Sequence, residues 1–207
     1  MDNRPERFWE DHAKFRNKIS YPFKPHLFYM LAIVGKFGDF TNTLLDPCIL
    51  GKNDSVAISE KELKLVLAYF VRLNWLLRND EAYRMNHHDI NALDVYESNK
   101  FLIEGLERLE KSGIHIYNKP QHTDQNIRDA RDSLTKMSNC LVDPQIYQDE
   151  YGKILNDSMR SFFMYLSLLS IIVTGKQLAD IALEDEEELK KSYPEKFNQN
   201  LYGNKLT

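Results

Sequence analysis

Glu104, Glu107 and Glu110 recur every third residue, and Asp129 with Asp132 forms a second acidic pair further along the chain. Carboxylate pairs on neighbouring helices are the means by which a helical bundle holds two metal ions, commonly with histidines at helical spacing. No such histidines accompany these acids, whereas Arg108, Lys111, Arg128 and Arg131 sit among them. The acids therefore read as a solvated, charge-balanced face. The run Asp185-Glu-Glu-Glu188 reads as an exposed helix surface under its own repulsion. Cys48 has no histidine within ten residues, so nothing local supports a thiol nucleophile. No GxxxxGK[ST], GxGxxG, CxxC or GxSxG pattern occurs, which removes the commonest phosphate-cradling, zinc and serine-nucleophile mechanisms.

The elements that must position any such site are helices. The chain has 207 residues with only 8 glycines and 7 prolines, and its apolar residues recur at spacings of three and four. A 43% hydrophobic content supplies a core, and the expected class is all-α. The 27 basic and 31 acidic residues leave a formal net charge of −4, so nucleic acid and anionic membrane surfaces are poor partners. Two cysteines, Cys48 and Cys140, make no disulfide framework and suggest a reducing, intracellular compartment. The opening Met1-Asp-Asn-Arg-Pro-Glu-Arg is unlike a signal peptide or an organelle import signal. The most apolar run, Ser161 to Thr174, is shorter than the roughly 20 residues of a membrane span and reads as a buried core helix.

Helices are expected over residues 5–18, 26–45, from Ser59 to about Leu77, 89–112, 124–141, 148–174 and 176–191. Ser59 and Glu62 have the spacing of a capping box, and Asp46-Pro47 stops the second helix because the residue before proline avoids helical geometry. Gly113 and Gly175 suit left-handed helix ends.

Thr41 to Ile49 reads TNTLLDPCI and Ser138 to Ile146 reads SNCLVDPQI. With one residue less of offset, Ala68-Tyr69-Phe70 falls on Met164-Tyr165-Leu166, and Asn99-Lys100-Phe101 on Glu195-Lys196-Phe197. The simplest account is a tandem duplication, residues 5–101 forming one helical repeat and 102–199 the other, with 200–207 as a tail. Two such repeats would bury their apolar stripes against each other as a pseudo-dimer within one compact unit.

The order of helix, DP turn, connector and long apolar helix resembles that of the MazG-like all-α nucleoside triphosphate pyrophosphohydrolases. The stretch Leu189-Lys-Lys-Ser-Tyr-Pro-Glu-Lys-Phe197 is similar to that family's K-L-x-x-R-Y-P-x-x-F, with Ser192 where arginine is usual. Gly35-Lys36-Phe37-Gly38-Asp39-Phe40 looks like the family's EExGEL, and Glu62-Leu63-Lys64-Leu65 like its ExxD. The resemblance implies carboxylates converging from two helices on Mg²⁺, which carries the triphosphate and activates water. Here Gly35 and Lys36 stand at two of the acidic positions and Leu65 at the aspartate, while Asp132, Lys136, Ser158 and Ser161 are the second-half counterparts of Gly35, Asp39, Glu62 and Leu65. What the resemblance leaves for a metal is a composite of Asp39, Glu62 and Asp132.

His88-Asp89 is also similar to the short signature of HD-domain metal phosphohydrolases, with His26 upstream and Asp143 or Asp157 downstream available to complete a set. Asp89 alternatively caps the fourth helix. The expected function is a non-catalytic helical interaction protein, a subunit or assembly partner in a larger complex, without cofactor. The alternatives are a Mg²⁺-dependent pyrophosphohydrolase acting on a nucleoside triphosphate, and an HD-type phosphohydrolase.

Overall fold

In the computed structural model, residues 8–18, 25–45, 54–79, 120–143 and 150–194 are described. They form helices α1 (Phe8–Lys18), α2 (His26–Leu45), α3 (Asp54–Asn79), α4 (Pro120–Val142), α5 (Tyr151–Thr174) and α6 (Leu178–Ser192). Among the described residues there is no strand, as the spacing of apolar residues requires.

α2 packs against α3, and α4 against α5. The first pair is antiparallel: Arg72 lies over the Tyr29 ring near the start of α2, and Lys36 faces Glu62 further along. The two hairpins meet through α2 with α4 and α3 with α5, while α1 and α6 lie against each other and against α3. Burial follows one register in both hairpins. Met30, Ile33, Phe37 and Phe40 are buried on α2, as are Ile127, Ala130, Leu134 and Met137 on α4. Leu63, Val66, Leu67, Phe70 and Leu73 are buried on α3, as are Met159, Phe162, Phe163, Leu166 and Leu169 on α5. Each of these side chains other than Ala130 contributes roughly 1.5–3 kcal/mol by leaving water.

Aromatic rings join the elements at the centre. Phe162 lies 5.5 Å from both Phe37 and Phe70, and Phe163 lies 5.0 Å from Trp9 and 5.6 Å from Phe70. The apolar run from Ser161 is thus a core helix. No single helix among the described residues is long and apolar enough to cross a membrane.

Helix ends depart from expectation in instructive places. α3 begins at Asp54, so Ser59 is a buried interior residue and not the cap of a Ser59–Glu62 box. The five residues ahead of it extend the helix because none is Gly or Pro. α4 begins at Pro120, where a missing N–H costs nothing in a first turn. α6 starts with a box that the sequence reading overlooked, Gln177 and Asp180, in which the Gln177 N–H donates to Asp180 Oδ2 at 3.2 Å. The expected helix over 89–112, the DP prolines Pro47 and Pro144, and the tail 200–207 lie outside the described residues.

Gly175 ends α5 with φ 70°, its N–H bonded to the Ile171 carbonyl at 2.9 Å. Nothing lies within 4 Å of the position a Cβ would take there, so the cost of a side chain is conformational only. Gly175→Ala is expected to lower stability by about 1 kcal/mol in urea unfolding; an unchanged midpoint would mean the turn relaxes out of the left-handed region.

Candidate functional site

Lys36 on α2 stands between Asp39 and Glu62, two of the three acids that the resemblance leads one to expect at a metal. Its Nζ lies 2.8 Å from Asp39 Oδ2 and 3.4 Å from Glu62 Oε2 on α3. Residues three apart on a helix share a face, which brings Lys36 to Asp39, and the antiparallel packing of α2 on α3 brings both to Glu62. The hydrogen bond to Asp39 raises the Lys36 pKa above its ordinary value, opposed by partial desolvation and reinforced by Glu62. The ammonium is therefore charged at neutral pH and donates to both acids.

Asp132, the third residue of the composite, is exposed on α4, and among the described residues no three His, Cys, Asp or Glu side chains gather to hold a metal ion. Its neighbour Arg131 is the residue that reaches α2, donating from Nη2 to Thr41 Oγ1 at 3.0 Å. The second-half counterparts of Asp39 and Glu62 are not carboxylates: Lys136 is exposed, and Ser158 donates to the Ile154 carbonyl at 2.6 Å in its own helix. Asp129 accepts from Gln125 Nε2 at 2.8 Å. Tyr165 on α5 also donates to Asp129; burial first, and then the Asp129 charge and hydrogen bond, raise the Tyr165 pKa. His26 opens α2 half-buried, whereas His88 and Asp89 lie outside the described residues, as do Cys48, Glu104, Glu107 and Glu110. Asp143 and Asp157 are both exposed, at the end of α4 and on α5. Cys140 is fully buried, and desolvation pushes its thiol up to about 11, so it is an inert core residue at neutral pH.

The acidic run of α6 is not the self-repelling surface expected from its composition. Successive residues point about 100° apart around a helix, so α6 distributes its acids between two neighbours. Asp185 is buried and paired with the Arg16 guanidinium of α1, and Glu186 Oε1 lies 2.7 Å from Nδ1 of the buried His12. On the side toward α3, Glu188 meets Lys64 at 2.7 Å, while Glu184 meets Lys176 at 2.8 Å. Glu60 joins the second group, 3.1 Å from Lys176. The hydrogen bond from Lys176, against some desolvation, lowers the Glu184 pKa. Burial raises that of Asp185, with Arg16 pulling the other way.

A groove of about 490 Å³ lies between α1 and α6, lined by Phe8, Asp11, Phe15, Leu183 and the His12–Glu186 pair. His12 is only 1% exposed, and Phe8 stacks on it at 6.2 Å. Its ring is a packed, hydrogen-bonded strut between helices. The partners His12, Arg16, Lys64 and Lys176 carry no mutual spacing that could have revealed these contacts in sequence.

Compared with protein-family models, curated proteins and solved structures, the chain gives no match.

Proposed function

We infer that this chain is a non-catalytic helical interaction protein of an intracellular compartment, built from two tandem MazG-like helical repeats, residues 5–101 and 102–199, and serving as a subunit or assembly partner. The shared burial register of the two hairpins supports the duplication, together with the meeting of α2 with α4 and of α3 with α5. A duplicated unit folded on itself keeps its core pattern because packing still demands it, while ligand positions without a metal to hold are free to change.

Lys36 carries the functional conclusion. Its ammonium neutralises Asp39 and Glu62 at 2.8 and 3.4 Å, so Mg²⁺ would have to displace a charged, hydrogen-bonded lysine to reach either carboxylate. The same convergence of Asp39 and Glu62 on one cation is what favours the second reading, a Mg²⁺-dependent nucleoside triphosphate pyrophosphohydrolase completed by Asp132.

Incubating the purified chain with Mg²⁺ and a panel of nucleoside and deoxynucleoside triphosphates separates the two. No pyrophosphate release is expected, and calorimetric titration with Mg²⁺ should show no saturable heat. Pyrophosphate release abolished by Glu62→Ala or Asp132→Ala would overturn the non-catalytic reading in favour of the composite site. A bound transition metal lost on His88→Ala would instead favour HD-type chemistry.

A further inference from the structure

α1 meets the rest of the fold through a different kind of surface from the one that joins α2, α3, α4 and α5. Among the described residues, Asp, Glu, Lys, Arg and His are buried at two positions, His12 and Asp185, and both lie where α1 meets α6. The buried residues that join the other four helices are uncharged.

Trp9, His12, Ala13 and Arg16 stand at i, i+3, i+4 and i+7, the spacing by which one side of a helix reads a groove. Trp9 seats edge-on against Phe163 of α5 at 5.0 Å. On α6, Glu186 Oε1 lies 2.7 Å from His12 Nδ1, and Asp185 pairs with Arg16. An aromatic anchor and an arginine on a carboxylate are the residue types that carry binding energy where two proteins meet. A helix of 11 residues is too short to keep its shape alone in water, so α1 owes its form to this seat. Parting the two surfaces costs less than parting an apolar core of equal area, because Arg16, His12, Asp185 and Glu186 all regain water.

We propose that α1 holds this seat as a ligand in cis, and that an amphipathic helix of a partner protein displaces it, bearing an aromatic anchor, a hydrogen-bond donor three residues on and an arginine or lysine seven residues on. The chemistry of the partner follows from that of the occupant. Phe163 takes the ring, and the acids Asp185 and Glu186 select donors and positive charge. Lys190 of α6, 5.1 Å from the centre of the Phe15 ring, edges the same seam. The assignment rests on the reading of the chain as an interaction protein and names where its partner binds.

The probe is a fluorescein-labelled peptide of residues 5–18, added to the full chain carrying Ala13→Pro. Proline inside α1 removes a helical hydrogen bond and clashes with the preceding turn, so the altered α1 vacates the seat. Fluorescence anisotropy should show saturable binding to this variant. Binding to the parent chain should be at least about tenfold weaker, because its own α1 competes at an effective concentration on the order of millimolar. Trp9→Ala in the peptide should weaken binding at least about thirtyfold, and Arg16→Glu at least about tenfold. Absence of binding to an Ala13→Pro chain that keeps its helical circular dichroism overturns the proposal, as does a peptide indifferent to both changes. Should Ala13→Pro lose the helical signal, hydrogen exchange on the parent chain decides. Amides of α1 exchanging at least about tenfold faster than those of α3 and α5 support a separable helix, and equal protection makes α1 part of the common core. If the parent chain forms concentration-dependent dimers that Arg16→Glu dissociates, the occupant is the α1 of a second copy and the assignment to a different protein falls. Pyrophosphate release would remove the interaction reading while leaving peptide binding as measured, so the two fail separately.

Discussion

Phe162→Ala should remove about 4 kcal/mol of stability, the largest loss expected from any single truncation on α5. Phe162 has no solvent exposure and sits 5.5 Å from the rings of Phe37 and Phe70, so it is where the α2–α3 hairpin meets α5. Truncation forfeits the transfer free energy of the ring and leaves a cavity whose other walls are rings on α2 and α3. Those helices are held elsewhere by Ile33, Leu63 and Leu73, so they cannot close on the gap. By contrast, truncating the exposed Leu183 to alanine should stay within about 0.5 kcal/mol. Urea unfolding followed by circular dichroism measures both. A loss below about 1.5 kcal/mol at Phe162 would mean that the hairpins do not share one core.

Arg16→Met is expected to cost about 3 kcal/mol at neutral pH, because it leaves Asp185 ionised and buried without its counter-ion. The side chains of the pair are 13% and 12% exposed, which places the loss toward the lower end for a buried pair. Removing both charges with Arg16→Met and Asp185→Leu together should recover most of it, since no uncompensated charge then stays inside. The loss also depends on pH, with a definite sign. Burial raises the Asp185 pKa in the folded state, and Arg16 is the largest influence opposing that rise. Without Arg16 the folded pKa moves further above the unfolded value of about 3.9. A carboxyl raised in this way contributes stability that is complete below the unfolded pKa and is lost as pH rises through the folded one. The difference between Arg16→Met and the parent chain should therefore be small near pH 3 and grow toward pH 7. Taking that difference cancels to first order the pH dependence that the two chains share. A loss independent of pH would show that Arg16 acts through the packing of its stem.

Much of the architecture was legible in the residues themselves. His26 to Leu45 was delimited at both ends, because Pro25 and Asp46-Pro47 punctuate the chain and the apolar spacing between them has one period. Gly175 marked the end of α5 for the same local reason. The start of α3 was misplaced because Ser59-x-x-Glu62 has the spacing of a cap, and only helical backbone ahead of it reveals that the spacing is incidental. For the candidate site, sequence identified Asp39 and Glu62 and noted a lysine where an acid was expected; the packing of α2 on α3 brought that lysine to both carboxylates and left Asp132 exposed on α4.

The sequence by itself determined the helical class, the limits of α2, the end of α5 and the inward positions of α3, because these follow from periodicity and from the backbone preferences of proline and glycine; on α2 the spacing alone pointed Leu31 and Val34 inward, and the packing exposes both and buries Ile33 and Phe40. Tertiary structure alone decided which charge meets which. Asp185 and Glu188 are near neighbours on one helix, yet one is buried on Arg16 and the other lies at the surface on Lys64. Residue type and spacing describe a single helix, whereas a charge partner is set by the angle at which two helices cross, and that angle emerges only when the whole core packs.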